Sequence, residues 1–341
     1  MQIAITVHHG PDGPEPRVVV ASDARPDQFV DLRAAHAHQL AKRGATRPAA
    51  LRIAAAIVPG SLTAALETGD LFHEIAAAAI SEPCEETLVP ADAPLMTPVD
   101  PPAYRDFMAF EIHFTAGARR TGKPVADVLY ELPVSYMGSV AAILGPGEEV
   151  PWPMYSDTID FELELGIVIG KNARNLRPEN ALDSVLGLTV LNDFSARDIQ
   201  FREMEGRLGP SKGKHFASAV GPRVVTLDAL DPMDLTMTAR VNGEQWTSAS
   251  SGSILWPIEE LVAWASTGEN LAAGTLLGTG TVGNGCGMEL GRFLEVTDEV
   301  ELEISGIGKL RNRIGRDQSD DWRPSPKTRH VVIDSAEPQP S

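Results

Sequence analysis

From residue 160 to residue 305 the chain is a succession of short apolar runs cut by glycine and proline, and that pattern restricts it to a strand-dominated fold. Strands are expected at 163–169, 187–191, 223–225, 235–241, 293–296 and 300–304. One helix at 257–266 interrupts them, with Pro257 in its first turn and Glu259 and Glu260 behind it, where the helix dipole favours acidic groups. The expectation is strand-dominated α+β, not doubly wound α/β. Gly278-Thr279-Gly280-Thr281-Val282-Gly283 is glycine-rich but lacks the succeeding helix that a dinucleotide fingerprint requires.

The first of these strands carries the chemistry. Residues two apart on a strand share a face, so Phe161, Leu163 and Leu165 point one way and Glu162 and Glu164 the other. Asp193 closes the next apolar run. Carboxylates with no histidine or thiolate near them in sequence suit a hard divalent ion, Mg2+ before Mn2+ or Ca2+. Plainer readings compete: a Glu-x-Glu strand is also what a solvated face looks like, and Asn192 and Asp193 also suit a helix cap.

With a formal net charge of −18 and no basic patch in its 341 residues, the chain is poorly suited to nucleic acids or anionic membranes. Cys84 and Cys286 are its only cysteines, too few for a disulfide framework, and the start lacks a secretory pattern. A cytoplasmic setting is expected. Residues 1–98 read as a smaller N-terminal domain, a small SH3-like barrel that buttresses the rest. Pro90, Pro94, Pro98, Pro101 and Pro102 mark the crossing to a second domain at 99–334, and 335–341 is an expected tail. A helical period over 107–120 places Phe107, Phe110 and Phe114 on one side with His113 near them, where a lone histidine is ordinarily a core residue.

Taken in order, several motifs resemble the fumarylacetoacetate hydrolase superfamily: Arg105-Asp106-Phe107 with His113, Leu132-Pro133-Val134-x-Tyr136-x-Gly138, Glu162-x-Glu164, Asn192-Asp193-x-Ser195-Ala196-Arg197-Asp198, Gly213-Lys214-x-Phe216, and Gly280-Thr281 followed by Glu289. The resemblance covers about 100–308. It implies a mixed β-sandwich roll with Asp106, Glu162, Glu164 and Asp193 as metal ligands. It makes His113 the base that activates water, Glu289 its orienting carboxylate, and Arg197, Gln200 and Lys214 the donors to developing negative charge. Tyr136, Thr281 and Met108 fall at substrate positions. Met108 and Met204 depart from the tyrosines of animal fumarylacetoacetases, and no arginine stands at the family's distance after His113, although Arg119 and Arg120 are close.

The implied activity is metal-dependent hydrolysis of a carbon–carbon bond in a 1,3-dicarbonyl or acylpyruvate-type acid, by a homodimer. Two alternatives stay open. One is decarboxylation, isomerisation or hydration of a 2-oxo acid by the same superfamily; the other is a cation-binding scaffold without turnover.

Overall fold

The computed structural model describes residues 1–10, 13–21, 27–122, 124–316 and 322–328, so the expected tail lies outside it. At its centre stands an eleven-stranded sheet. Glu162–Ile169 is an interior strand of it, hydrogen-bonded on both sides by the antiparallel Val185–Asp193 and Leu276–Cys286. Every residue of Glu162–Ile169 is buried, which explains why it reads as an almost continuous apolar run.

Each face of that sheet has its own cover. Leu163, Leu165 and Ile167 pack against Met237, Ala239, Leu302 and Leu310 of a second, five-stranded sheet. On the opposite face Val168, Leu191 and Leu276 meet Leu62, Leu66, Phe72 and Ile75 from the N-terminal helices. Each Val, Leu, Ile, Phe or Met among these, fully buried, contributes about 1.5–3 kcal/mol. The result is the strand-dominated α+β sandwich that the sequence pattern predicts.

The N-terminal segment departs from expectation. Its strands Gln2–Gly10, Gly13–Ala21, Gln28–Asp31 and Leu88–Pro90 form no closed SH3-like barrel; they extend the main sheet as an open antiparallel run. The reason is pairing. Gln2–Gly10 bonds to Gly13–Ala21 on one side, and on the other its first residues pair with Ser218–Val225, Ile3 opposite Val224, which joins the run to the main sheet instead of closing it on itself.

Other boundaries also move. The helix expected over 107–120 is Glu111–Thr121, and Phe107 ends the strand Tyr104–Phe107, which runs parallel to Leu276–Cys286. Residues 293–296 form no strand, because Leu294 N–H goes to Ile159 O and Glu295 N–H to the Asp298 carboxylate. The 257–266 helix is Ile258–Ser266, with Pro257 as its N-cap residue. Among the described residues no helix is long and apolar enough to cross a membrane.

Candidate active site

Strand order brings the acidic residues together. Asp106 lies on Tyr104–Phe107, Glu162 and Glu164 on the central strand, and Asp193 at the end of its neighbour. The intervening strand places Gly278 opposite Asp106. A Cβ on Gly278 would come within 2.2 Å of Asp106 Oδ1, so glycine there makes room for the carboxylate. One oxygen from each of Asp106, Glu162, Glu164 and Asp193 lies within 4.8 Å of the others, and all four residues are buried.

Neither plainer reading of these residues holds in the structure. The glutamate face is covered, not solvated: Glu164 is 0% exposed and Glu162 4%. Asn192 and Asp193 cap no helix; Asn192 Oδ1 accepts from Glu162 N–H at 3.1 Å, and the helix Arg197–Glu205 starts from Ala196 without a side-chain cap.

Such crowding of buried anions perturbs their ionisation. Burial, then the charge of Asp193, pushes the Asp106 carboxyl well up; burial with Asp106, Glu162 and Asp193 does the same to Glu164. Glu162 goes the other way. Burial opposes its charge, but Lys214 and Arg197 outweigh that and hold it well below the usual range. Lys214 Nζ lies 2.5 Å from both Glu162 Oε2 and Asp193 Oδ2, and these anions keep it charged despite burial. Lys214, and Arg197 shared with Asp160, thus face four clustered carboxylates. The shortage of positive charge, in an all-oxygen donor set, fits a hard divalent cation.

Across a pocket of about 310 Å³ stands His113. Its Nδ1 is 3.1 Å from Glu289 Oε2, and its Nε2 is 3.9 Å from Glu162 Oε1. Burial opposes the Glu289 charge, but the His113 bond, the Asn284 N–H and the Cys286 thiol outweigh it and hold the carboxyl low. An anionic Glu289 accepts the Nδ1 proton and leaves Nε2 with a free lone pair toward the pocket.

The remaining predicted residues divide into two layers. Gln200, Lys214, Tyr136, Met108 and Thr281 line the pocket. Tyr136 also donates to Asp193 Oδ2 at 2.7 Å, and Thr281 Oγ1 to Glu164 Oε1 at 3.3 Å. Arg197 does not face the pocket as the sequence reading required. It is buried behind the glutamates, where Nε and Nη2 bind Asp160 Oδ2 at 2.9 and 2.7 Å and Nη1 binds Glu162 Oε1 at 2.7 Å. Its fork is consumed by positioning, so it has little left to offer a substrate.

Three residues escaped the sequence reading. Asp160 accepts from Arg197 and from the Phe161, Gly287 and Met288 N–H groups, joining the central strand to the helix that carries Glu289. Its signal was available, since Asp160, Glu162 and Glu164 alternate. Glu203 accepts the Ser211, Lys212 and Gly213 N–H groups and so anchors the turn that presents Lys214. Arg207 lines the pocket mouth, exposed and with no ion pair among the described residues. Arg119, the nearer candidate in sequence, is exposed on the Glu111–Thr121 helix and is not among the pocket residues, and the Arg120 side chain lies outside the described ones.

A carboxylate cluster facing a His–Glu pair across a small pocket is the equipment of an enzyme that polarises carbonyl oxygens and moves protons beside them. The chain belongs to the fumarylacetoacetate hydrolase family: the profile of the fumarylacetoacetate (FAA) hydrolase C-terminal domain matches residues 103–315. It is 34% identical over 184 residues to the human mitochondrial oxaloacetate tautomerase FAHD2A, a match covering 53% of this chain and 59% of that one. With the fumarylacetoacetate hydrolase domain-containing protein 2 of Pongo abelii it shares 29% identity over 259 residues, 75% of this chain and 80% of that one. Among solved structures, the maleylpyruvate hydrolase of Sphingobium sp. SYK-6, in complex with manganese(II) and pyruvate, superposes with a TM-score of 0.64 at 22% identity. That likeness covers 93% of this chain and 100% of the other and concerns the fold. A tautomerase is thus among the chain's relatives in sequence, and a hydrolase shares its fold.

Divalent-ion binding should register as stability. An ion that binds only the folded chain adds about 2.7 kcal/mol at a hundred times its dissociation constant. Mn2+ or Mg2+ is expected to raise the thermal midpoint, EDTA to reverse the rise, and Asp193→Asn to abolish most of it. An unchanged midpoint at millimolar ion would show that the cluster is not a metal site.

Proposed function

We propose that the chain hydrolyses a carbon–carbon bond in an acylpyruvate-type 2-oxo acid. The observation that carries this reading is the His113–Glu289 pair, whose free nitrogen faces the carboxylate cluster across the pocket. A divalent cation held by Asp106, Glu162, Glu164 and Asp193 would supply Lewis-acid polarisation of the substrate oxygens.

The chain's own residues do the rest. His113 Nε2 takes a proton from water, and the oxygen attacks the acyl carbonyl carbon while Glu289 stabilises the imidazolium. Lys214 and Gln200 donate to the oxyanion that forms. Collapse breaks the bond to the adjacent carbon, whose electron pair leaves as the enolate of pyruvate. The proton on His113 then returns to that carbon, and the products are a carboxylic acid and pyruvate. Arg207, at the pocket mouth, is placed to receive a carboxylate at the far end of the acyl group.

Incubating the metal-loaded protein with acylpyruvates and following pyruvate release tests the reaction. Arg207→Gln is expected to raise KM about tenfold or more for acylpyruvates with a second, distal carboxylate, the loss of one charge-assisted hydrogen bond, and to leave acetylpyruvate nearly unaffected. Equal effects on both substrates would remove Arg207 from substrate recognition.

The 34% identity to an oxaloacetate tautomerase favours a second reading, enol–keto conversion of oxaloacetate. The same histidine would shuttle a proton between oxygen and carbon with no water consumed. Rapid conversion of oxaloacetate enol with acylpyruvates left intact would replace hydrolysis by tautomerisation.

A further inference from the structure

Behind the His–Glu pair sits a thiol that neither reaction uses. Cys286 lies opposite Glu162 in the strand pairing, is fully buried, and donates its S–H to Glu289 Oε2 at 3.3 Å. His113 Nδ1 is 3.1 Å from the same oxygen. One ligating atom from each of His113, Cys286 and Glu289 lies within 4.8 Å of the other two. Ligand atoms around a tetrahedral zinc stand about 3.4–3.6 Å apart, so two edges of this triangle are within a few tenths of an ångström of that spacing.

We propose that His113, Cys286 and Glu289 form a zinc-capture site beside the carboxylate cluster, and that zinc there arrests the enzyme. Donor chemistry separates the two sites. The cluster offers only oxygen and suits Mg2+ or Mn2+, whereas imidazole, thiolate and one carboxylate together favour zinc. Charge agrees: a thiolate and a carboxylate neutralise one Zn2+.

The metal-free thiol is kept protonated by burial, so capture exchanges bonds: zinc–sulfur forms as sulfur–hydrogen breaks and that proton leaves to solvent, while zinc–Nδ1 forms as the Nδ1 proton is given up and the ring takes one at Nε2 instead. With Nδ1 coordinated and Nε2 carrying the ring's one proton, His113 has no lone pair left to take a proton from water or carbon. The arrest, but not the binding, rests on His113 being the base of the proposed reaction.

Cobalt(II), a coloured stand-in for zinc, reads binding without reference to activity. Titrated into Mg2+-loaded native protein, it is expected to produce a near-ultraviolet thiolate-to-cobalt absorption that zinc abolishes. Cys286→Ser, which leaves Cys84 in place and keeps a donor to Glu289, should lack the absorption, and its zinc inhibition is read against its own zinc-free rate. Zinc should inhibit the native enzyme at least tenfold at concentrations that leave Cys286→Ser active, and Cys286→Ala should behave as the serine variant does. An absorption that survives in Cys286→Ser belongs to Cys84 and overturns the proposal. So does equal zinc inhibition of native and variant, which would place zinc in the carboxylate cluster, and so does absence of the absorption from the native protein. If no acylpyruvate is cleaved but the absorption appears only with Cys286 present, the site stands and the hydrolytic reading falls.

Discussion

His113→Ala is expected to lower kcat for acylpyruvate cleavage by about 10²–10⁴-fold, the contribution ordinarily made by a positioned general base. The geometry ties that loss to one atom. Nδ1 is engaged with Glu289, so Nε2 is the nitrogen available to a water between the ring and the cluster. Alanine removes this acceptor but leaves the four carboxylates, Lys214 and Tyr136 in place. The Mn2+-induced thermal shift should therefore survive in the variant, and KM should change far less than kcat. Glu289→Gln should have a smaller effect, because the ring keeps a hydrogen-bonding partner while the imidazolium loses its counter-charge. Single-turnover pyruvate release and thermal denaturation, with and without Mn2+, measure both quantities. If kcat is preserved in His113→Ala, another group activates the water; if the Mn2+ shift disappears as well, the histidine supports the metal site and its role as base is unproven.

How much of this could be read from the chain depends on the range of the interactions involved. Alternation over Phe161 to Leu165 is a local property of a strand, so the packed face and the acidic face were legible. Phe107 misled for an equally local reason. Its spacing to Phe110 and Phe114 imitates a helix, while Tyr104–Phe107 is a strand paired with Leu276–Cys286, more than 160 residues later, and with Ser135–Met137, where Phe107 itself stands opposite Ser135. The same holds for Gln2–Gly10, whose second neighbour begins at Ser218. Within the site, the motif order indicated which residues matter, but not the layer each occupies. Arg197 and Gln200 were expected to work side by side on a substrate because three residues separate them on a helix. They do meet, Arg197 Nη1 donating to Gln200 Oε1 at 3.0 Å, but the rest of the guanidinium turns inward to Asp160, a partner 37 positions away that no helical spacing could reveal. Arg207 was missed because an exposed arginine in a turn has no sequence signature; only the pocket around it makes it notable.

That inward turn leads to the largest stability effect. Arg197→Met should destabilise the metal-free protein by about 3–5 kcal/mol, the range for removing one partner of a buried ion pair. Arg197 is 3% exposed, and it faces Asp160 at 0% and Glu162 at 4%, so water cannot replace the guanidinium. Methionine fills part of the volume and supplies no donor. Burial already pushes the Asp160 carboxyl above its usual range, against Arg197 and the Met288 N–H, which pull it down. Without Arg197 it should rise further, and the folded variant will hold a proton that its unfolded chain releases. A carboxyl whose folded value is raised loses stability as pH climbs from the unfolded value through the folded one. The deficit relative to the native protein should therefore be smallest in acid and widen toward neutral pH. Asp160→Asn in the Arg197→Met background should recover part of the loss at neutral pH, because the uncompensated charge is gone, while Arg197→Lys should fall between native and methionine because a point charge cannot reproduce the fork. Urea denaturation across this pH range reads all three; a deficit below about 1 kcal/mol, or one that narrows as pH rises, would show that Arg197 does not hold these carboxylates in place.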